Sequence, residues 1–140
     1  MRAAAMVIGL ISATLIAAGC RGPTDTPPRE VVAAIRSAGP WEGTGDRTIG
    51  FVSDSGRFDV TWESRNESSG GAGTFRLTVH SAVSGRPLQV LVDQRGAGRG
   101  RASFSDDPRP YNFMVESANI EWSFSVEETV AVERSKPASD

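Results

Sequence analysis

Few residues in this chain have the types and spacing that chemistry needs, and they can be taken in turn. His80 is the only histidine, so it is the one imidazole available for acid–base work near neutral pH. It stands beside Ser81 and Ser84, but a serine hydrolase also needs an orienting carboxylate, and no Gly-x-Ser-x-Gly elbow is present. The expectation is an ordinary surface histidine. Asp106-Asp107, next to a Pro-containing turn, offers two carboxylates as the nucleus of a calcium site, which would need six to eight oxygens. Solvated turn formers are the plainer reading. The segment Arg95-Gly96-Ala97-Gly98-Arg99-Gly100-Arg101 lacks the Lys-Ser/Thr of a phosphate loop. As a glycine hairpin tip it would carry Arg95, Arg99 and Arg101 as a candidate anion-binding turn for lipid head groups or acidic glycans. The one cysteine, Cys20, excludes an internal disulfide and any multi-thiolate metal site. No catalytic residues are assigned, and the expectation is binding without catalysis and without a cofactor beyond a lipid on Cys20.

Composition divides the chain at that cysteine. Residues 1–20 hold 15 of its 54 hydrophobic residues and none of its 17 acids. Beyond Cys20, 14 bases face 17 acids, a net charge of −3. A nucleic-acid binder would carry a strongly basic face, so no nucleic-acid partner is expected. After Met1-Arg2, residues 3–19 contain no charge, but this run is shorter than the roughly 20 residues that span a bilayer as a helix. A basic start, an apolar run and small residues before a cut site are the layout of a secretory signal.

The segment Leu15-Ile16-Ala17-Ala18-Gly19-Cys20 resembles the lipobox of bacterial lipoproteins, with Ala17 where that family most often has Leu. The resemblance implies cleavage before Cys20 and lipidation of that residue. It also implies a mature protein held at the cell membrane or outer membrane, facing periplasm or exterior. Simple secretion after cleavage at the same bond, or an uncut anchor, are the alternatives. Two or more acyl chains anchor a protein stably where one does not. Residues 21–28 are polar and Pro-rich, a semi-rigid tether within a linker spanning 20–40. Arg29–Ala38 reads equally as a short helix, between Pro28 and Gly39-Pro40, or as more extended tether.

From Trp41 onward the apolar period is two. Ile49/Phe51, Phe58/Val60/Trp62, Phe75/Leu77/Val79, Leu88/Val90/Val92, Ala102/Phe104, Tyr111/Phe113/Val115 and Ile120/Trp122/Phe124/Val126 alternate with mostly polar neighbours. Turn residues separate these seven runs, among them Asp54-Ser55-Gly56, Ser84-Gly85-Arg86-Pro87 and Asp107-Pro108-Arg109-Pro110. Each run has one face to bury. The pattern predicts an all-β fold, a single antiparallel β-sandwich of jelly-roll or CUB-like type over residues 41–132, with a frayed tail over 133–140. Trp41 is expected to cap the sandwich, or to stand exposed as a stacking platform. The Pro turn before Tyr111–Val115, followed by the strand with Trp122, is similar to the end of bacterial pre-peptidase C-terminal and CUB-like sandwiches. CUB domains usually carry disulfides that this chain cannot make. The resemblance bears on architecture and leaves function open. The partner expected is an envelope protein or a glycan, in a binding or accessory role; a small hydrolase is a third class.

Overall fold

The computed structural model describes residues 26–68 and 72–136, with Gly19 and Gly22. The signal segment up to residue 18, Cys20 and most of the tether lie outside the described residues. Eight strands form: β1 Arg29–Thr44, β2 Arg47–Ser53, β3 Arg57–Arg65, β4 Thr74–Ser81, β5 Pro87–Arg95, β6 Gly98–Ser105, β7 Arg109–Ala118 and β8 Glu121–Ser135. All seven alternating runs lie in β2 to β8 or, for Ile120, directly before β8. They become strands because period-two side chains can line a core only from a pleated backbone.

Two four-stranded antiparallel sheets result, ordered β1-β8-β3-β6 and β2-β7-β4-β5. The first strand pairs with the last, the second with the seventh, the third with the sixth and the fourth with the fifth. That nested pairing is a long antiparallel hairpin rolled over on itself. The fold is a jelly-roll sandwich.

Between the sheets lie Phe51, Phe58, Phe75, Leu77, Tyr111, Phe113, Trp122 and Phe124, with valines filling the gaps. Aromatic rings meet mostly edge-on or tilted, as Phe58 does with Phe51 at 5.3 Å and with Phe113 at 5.7 Å. Trp41 is half-buried and packs on Phe124 at 5.1 Å, so it closes the core and is no open platform. Gly43 lies across from Trp122, where a Cβ would come within 2.9 Å of the indole. The missing side chain gives that ring its place.

Three expectations are corrected. Arg29–Ala38 is neither helix nor tether but the first part of β1, paired with β8 from Arg29↔Ser135 to Ala38↔Val126. Its Val-Val-Ala-Ala-Ile core satisfies either period, and cross-strand pairing decides the matter. The sandwich therefore begins at Arg29, not at residue 41. Glu133–Ser135 belongs to β8, so the sheet runs past residue 132. In β5, register shifts opposite Leu77/Thr78 and Val79/His80 break the alternation. Val92 is buried and Leu91 packs on the core, while Leu88 and Val90 are exposed.

The β2–β3 turn depends on Gly56, whose φ is +72°. A Cβ there would stand 2.0 Å from the Asp106 carbonyl oxygen, while the Gly56 carbonyl accepts from Asp106 N–H at 2.8 Å. Gly56→Ala is expected to destabilise by about 3 kcal/mol, from left-handed backbone strain together with displaced backbone. The thermal midpoint of the variant checks this.

Candidate functional site

The first sheet turns a polar face to solvent, and β8, β3 and β6 set it out in rows. One row reads Glu42–Ser123–Glu63–Arg99, the next Ser125–Thr61–Arg101, and the third Ser37–Glu127–Asp59–Ser103. These are the out-facing positions of strands whose in-facing positions hold Val60, Phe124 and Val126. Two-residue periodicity therefore delivers the row and the core together.

Two shallow hollows cross this face. One, of about 590 Å³, is lined by Thr61, Glu63, Arg99, Arg101, Ser123 and Ser125 together with Pro40, Trp62, Gly100 and Phe124. The other, of about 620 Å³, is lined by Asp59, Ser103 and Glu127 among others. Arg101 stands between them, 2.8 Å from Asp59 and 3.6 Å from Glu127. Ser103 Oγ donates to the other Asp59 oxygen at 2.5 Å. That hydroxyl first, and Arg101 second, hold the Asp59 carboxyl below its usual range. Arg65 faces Glu121 at 3.5 Å and Glu63 at 3.7 Å. Arg99 and Arg57 make no ion pair among the described residues, so their guanidiniums are the unmatched donor sets on this face. Such a surface can offer hydroxyls, carboxylates and two free planar forks to a polar ligand.

The structure separates the three arginines of the glycine-rich segment. Arg99 and Arg101 lie two residues apart on β6, on one face. Arg95 ends β5 in the other sheet, across from Thr74. The Gly96-Ala97 link crosses between the sheets and so does not close a hairpin of adjacent strands.

Asp106 and Asp107 lie in the β6–β7 loop. Asp106 accepts the Asp107 N–H at 2.8 Å and pairs with Arg109 at 2.5 Å. The Asp107 N–H first, and Arg109 second, lower its carboxyl. The Tyr111 hydroxyl donates to the Asp107 carbonyl, and Arg109 lies 5.4 Å from the Tyr111 ring centre. Arg109 thus supplies the positive charge at this turn, and no cluster of three metal-ligating side chains occurs among the described residues. His80 is half-buried with Nδ1 3.1 Å from the Gly85 carbonyl, which ties down the β4–β5 turn. The hydroxyls of Ser81 and Ser84 accept backbone N–H groups of the same turn.

Glu128, which nothing in the sequence sets apart from the other acids, is the buried charge among the described residues. It accepts from Ser53 Oγ at 2.5 Å, from Ser55 N–H at 2.8 Å and Oγ at 2.7 Å, and from Arg36 at 2.5 Å. Burial pushes its carboxyl up, and these donors more than reverse that, holding it down to about 2. The signal for the rows themselves was present in sequence as the Ser, Thr and acid side of the β3 and β8 runs.

No family model matches the chain, and no curated protein matches it. The reading of function therefore rests on residues. Arg99→Ala is expected to leave stability within about 0.5 kcal/mol, as for exposed side chains without partners. A chemical denaturation curve superimposable on that of the parent checks it.

Proposed function

We propose that this protein is a lipid-anchored, extracytoplasmic jelly-roll module of the bacterial envelope that binds a polar partner and does not convert it. The partner is an envelope protein or a glycan, and the outer face of the first sheet receives it. The observation that carries the reading is the ordered polar face with its unmatched Arg57 and Arg99, in a chain whose His80, Asp106 and Glu128 are engaged in holding turns.

The lipobox-like segment ending at Cys20 supports the anchor, with the lipid as the membrane contact. Eight residues separate Cys20 from Arg29, a reach of at most about 30 Å. Beyond Glu128, β8 pairs with β1 alone, so the sandwich narrows to a two-stranded ribbon at the end where the tether enters. The rows of Thr61 and Glu63 lie beyond the other end of that ribbon, about 40 Å along β1 from Arg29. An anchored ribbon would hold this face away from the membrane surface. Metabolic labelling with an alkyne fatty acid tests the anchor: label on the parent and none on Cys20→Ser is expected. Label-free protein in the soluble fraction would overturn it.

The accessory-subunit reading shares the anchor and differs in what the purified chain does. A binding module retains its partner alone, whereas an accessory subunit is inert alone and co-purifies with its complex.

A further inference from the structure

A jelly roll has four edge strands, and this one protects three of them and half of the fourth. β2 is only seven residues long, β5 begins at Pro87 and carries two register shifts, and β6 carries Arg99 and Arg101. Short length, bulges, proline and charge are the usual means of preventing edge-to-edge pairing. In β1 the part after Ala38 is broken by a register shift and by Pro40, which has no N–H to offer. The part from Arg29 to Ala38 carries charge at Arg29, Glu30 and Arg36 but has neither proline nor bulge. It pairs with β8 without a shift, and among the described residues no strand pairs with its far side. Along it Val31 and Ile35 are 66% and 73% exposed, among the most exposed large apolar side chains of the described residues.

The side chains of this stretch have an internal symmetry about Ala33. On the outer face Val31 and Ile35 flank it at equal distance. On the opposite face Glu30 and Arg36 flank it, alike in position and opposite in charge. We propose that two copies of this chain pair antiparallel through β1, with the two-fold axis at Ala33. Val31 then faces Ile35 of the second copy, Glu30 faces its Arg36, whose guanidinium also holds Glu128 and Asp54 of its own chain, Val32 faces its Ala34, and the small Ala33 side chains meet on the axis. Among registers within two residues either way, this one alone sets both the apolar pair and the charge pair. A slip of one residue in one direction opposes Arg29 to Arg36, and in the other sets Val31 against Arg36. Because paired residues keep their face, the product is one continuous eight-stranded sheet. It carries both polar faces on the same side, an isologous interface that closes at two. The inference stands on the fold and does not depend on the proposed function.

The test is cross-linking of the full chain, purified in detergent, with a short bismaleimide. Ala33→Cys is compared with Val83→Cys, whose parent residue is 83% exposed on the β4–β5 turn, and with the parent chain as control for Cys20. Covalent dimer is expected from Ala33→Cys well above both controls. Adding Ile35→Arg should reduce it about tenfold or more, since it replaces the apolar pair with a charge. An unchanged thermal midpoint for that variant shows that the fold is intact. Cross-linking at position 33 no greater than at 83 would overturn the proposal, whether the chain is then monomeric or paired with another partner. A dimer indifferent to Ile35→Arg would overturn it too.

Discussion

Trp122→Ala is expected to remove about 4 kcal/mol of stability, the largest single-residue effect in the core. Trp122 is fully buried, stacks on Phe75 at 6.1 Å with 6° between ring planes, and lies 5.9 Å from Phe124. It also donates its indole N–H to the Gly45 carbonyl at 2.9 Å, which joins the end of β1 to β8. Alanine would leave a cavity between sheets that cannot close, because β8 is held on both sides by β1 and β3. The domain would lose a large share of a typical 5–15 kcal/mol. Trp122→Phe separates the terms. It keeps the stacking and loses the hydrogen bond, so a smaller loss of about 1–2 kcal/mol is expected. Urea denaturation of both variants, read by the fluorescence of the remaining tryptophans, makes the comparison.

The second large effect is electrostatic. Glu128→Ala is expected to destabilise by about 3–5 kcal/mol, because it leaves Arg36 and the donors of Ser53 and Ser55 without their acceptor. The carboxylate lies where β1, β8 and the β2–β3 turn meet, and Arg36 extends the junction to Asp54 at 2.6 Å and the Val52 carbonyl at 3.0 Å. The same geometry sets a pH dependence. Glu128 has its carboxyl lowered from 4.5 to about 2 in the folded chain, so the unfolded chain binds the proton more readily. Its contribution, about 3 kcal/mol, is fully present above about pH 4.5 and is lost as pH falls towards 2. Asp59 and Asp106 are lowered as well and add to the acid sensitivity of the parent. The difference between the parent and Glu128→Gln isolates the one group. The gap in their stabilities should be widest near neutral pH and narrow steadily below pH 4.5. A gap that does not change with pH would show that Glu128 is not the titrating group.

Strands β2 to β8 were legible because each has a long enough run of period-two side chains with one apolar face. Nothing in a single run says which sheet it joins, and several strand orders bury one face of every strand, so the nested pairing is visible only in the structure. β1 was not legible. Val31, Val32, Ala33, Ala34 and Ile35 suit a helix stripe as well as a strand, and their partner, Thr129 to Glu133, is about a hundred residues distant in sequence. The inward positions of β5 were misread because a bulge at Leu91 changes the phase of alternation, and a bulge has no mark in side-chain type. The polar rows of the first sheet were present as residues but not as a surface. Alternation gives the face of Thr61, Ser123 and Arg99, while only register sets them side by side. The glycines around Ala97 pointed to a turn correctly, but they could not show that the chain changes sheets there and takes Arg95 away from Arg99.

The proposed meeting point of this protein and its partner is the polar face of the first sheet. Photo-cross-linking in living cells tests it most directly. A photoreactive residue replaces Thr61, within the groove, or Val83, on the β4–β5 turn, each in the parent and in Cys20→Ser. A discrete cross-linked envelope component is expected from position 61 in the anchored chain, weaker or absent with Cys20→Ser, and none from position 83. Equal cross-linking from both positions, or a product unaffected by loss of Cys20, would contradict it.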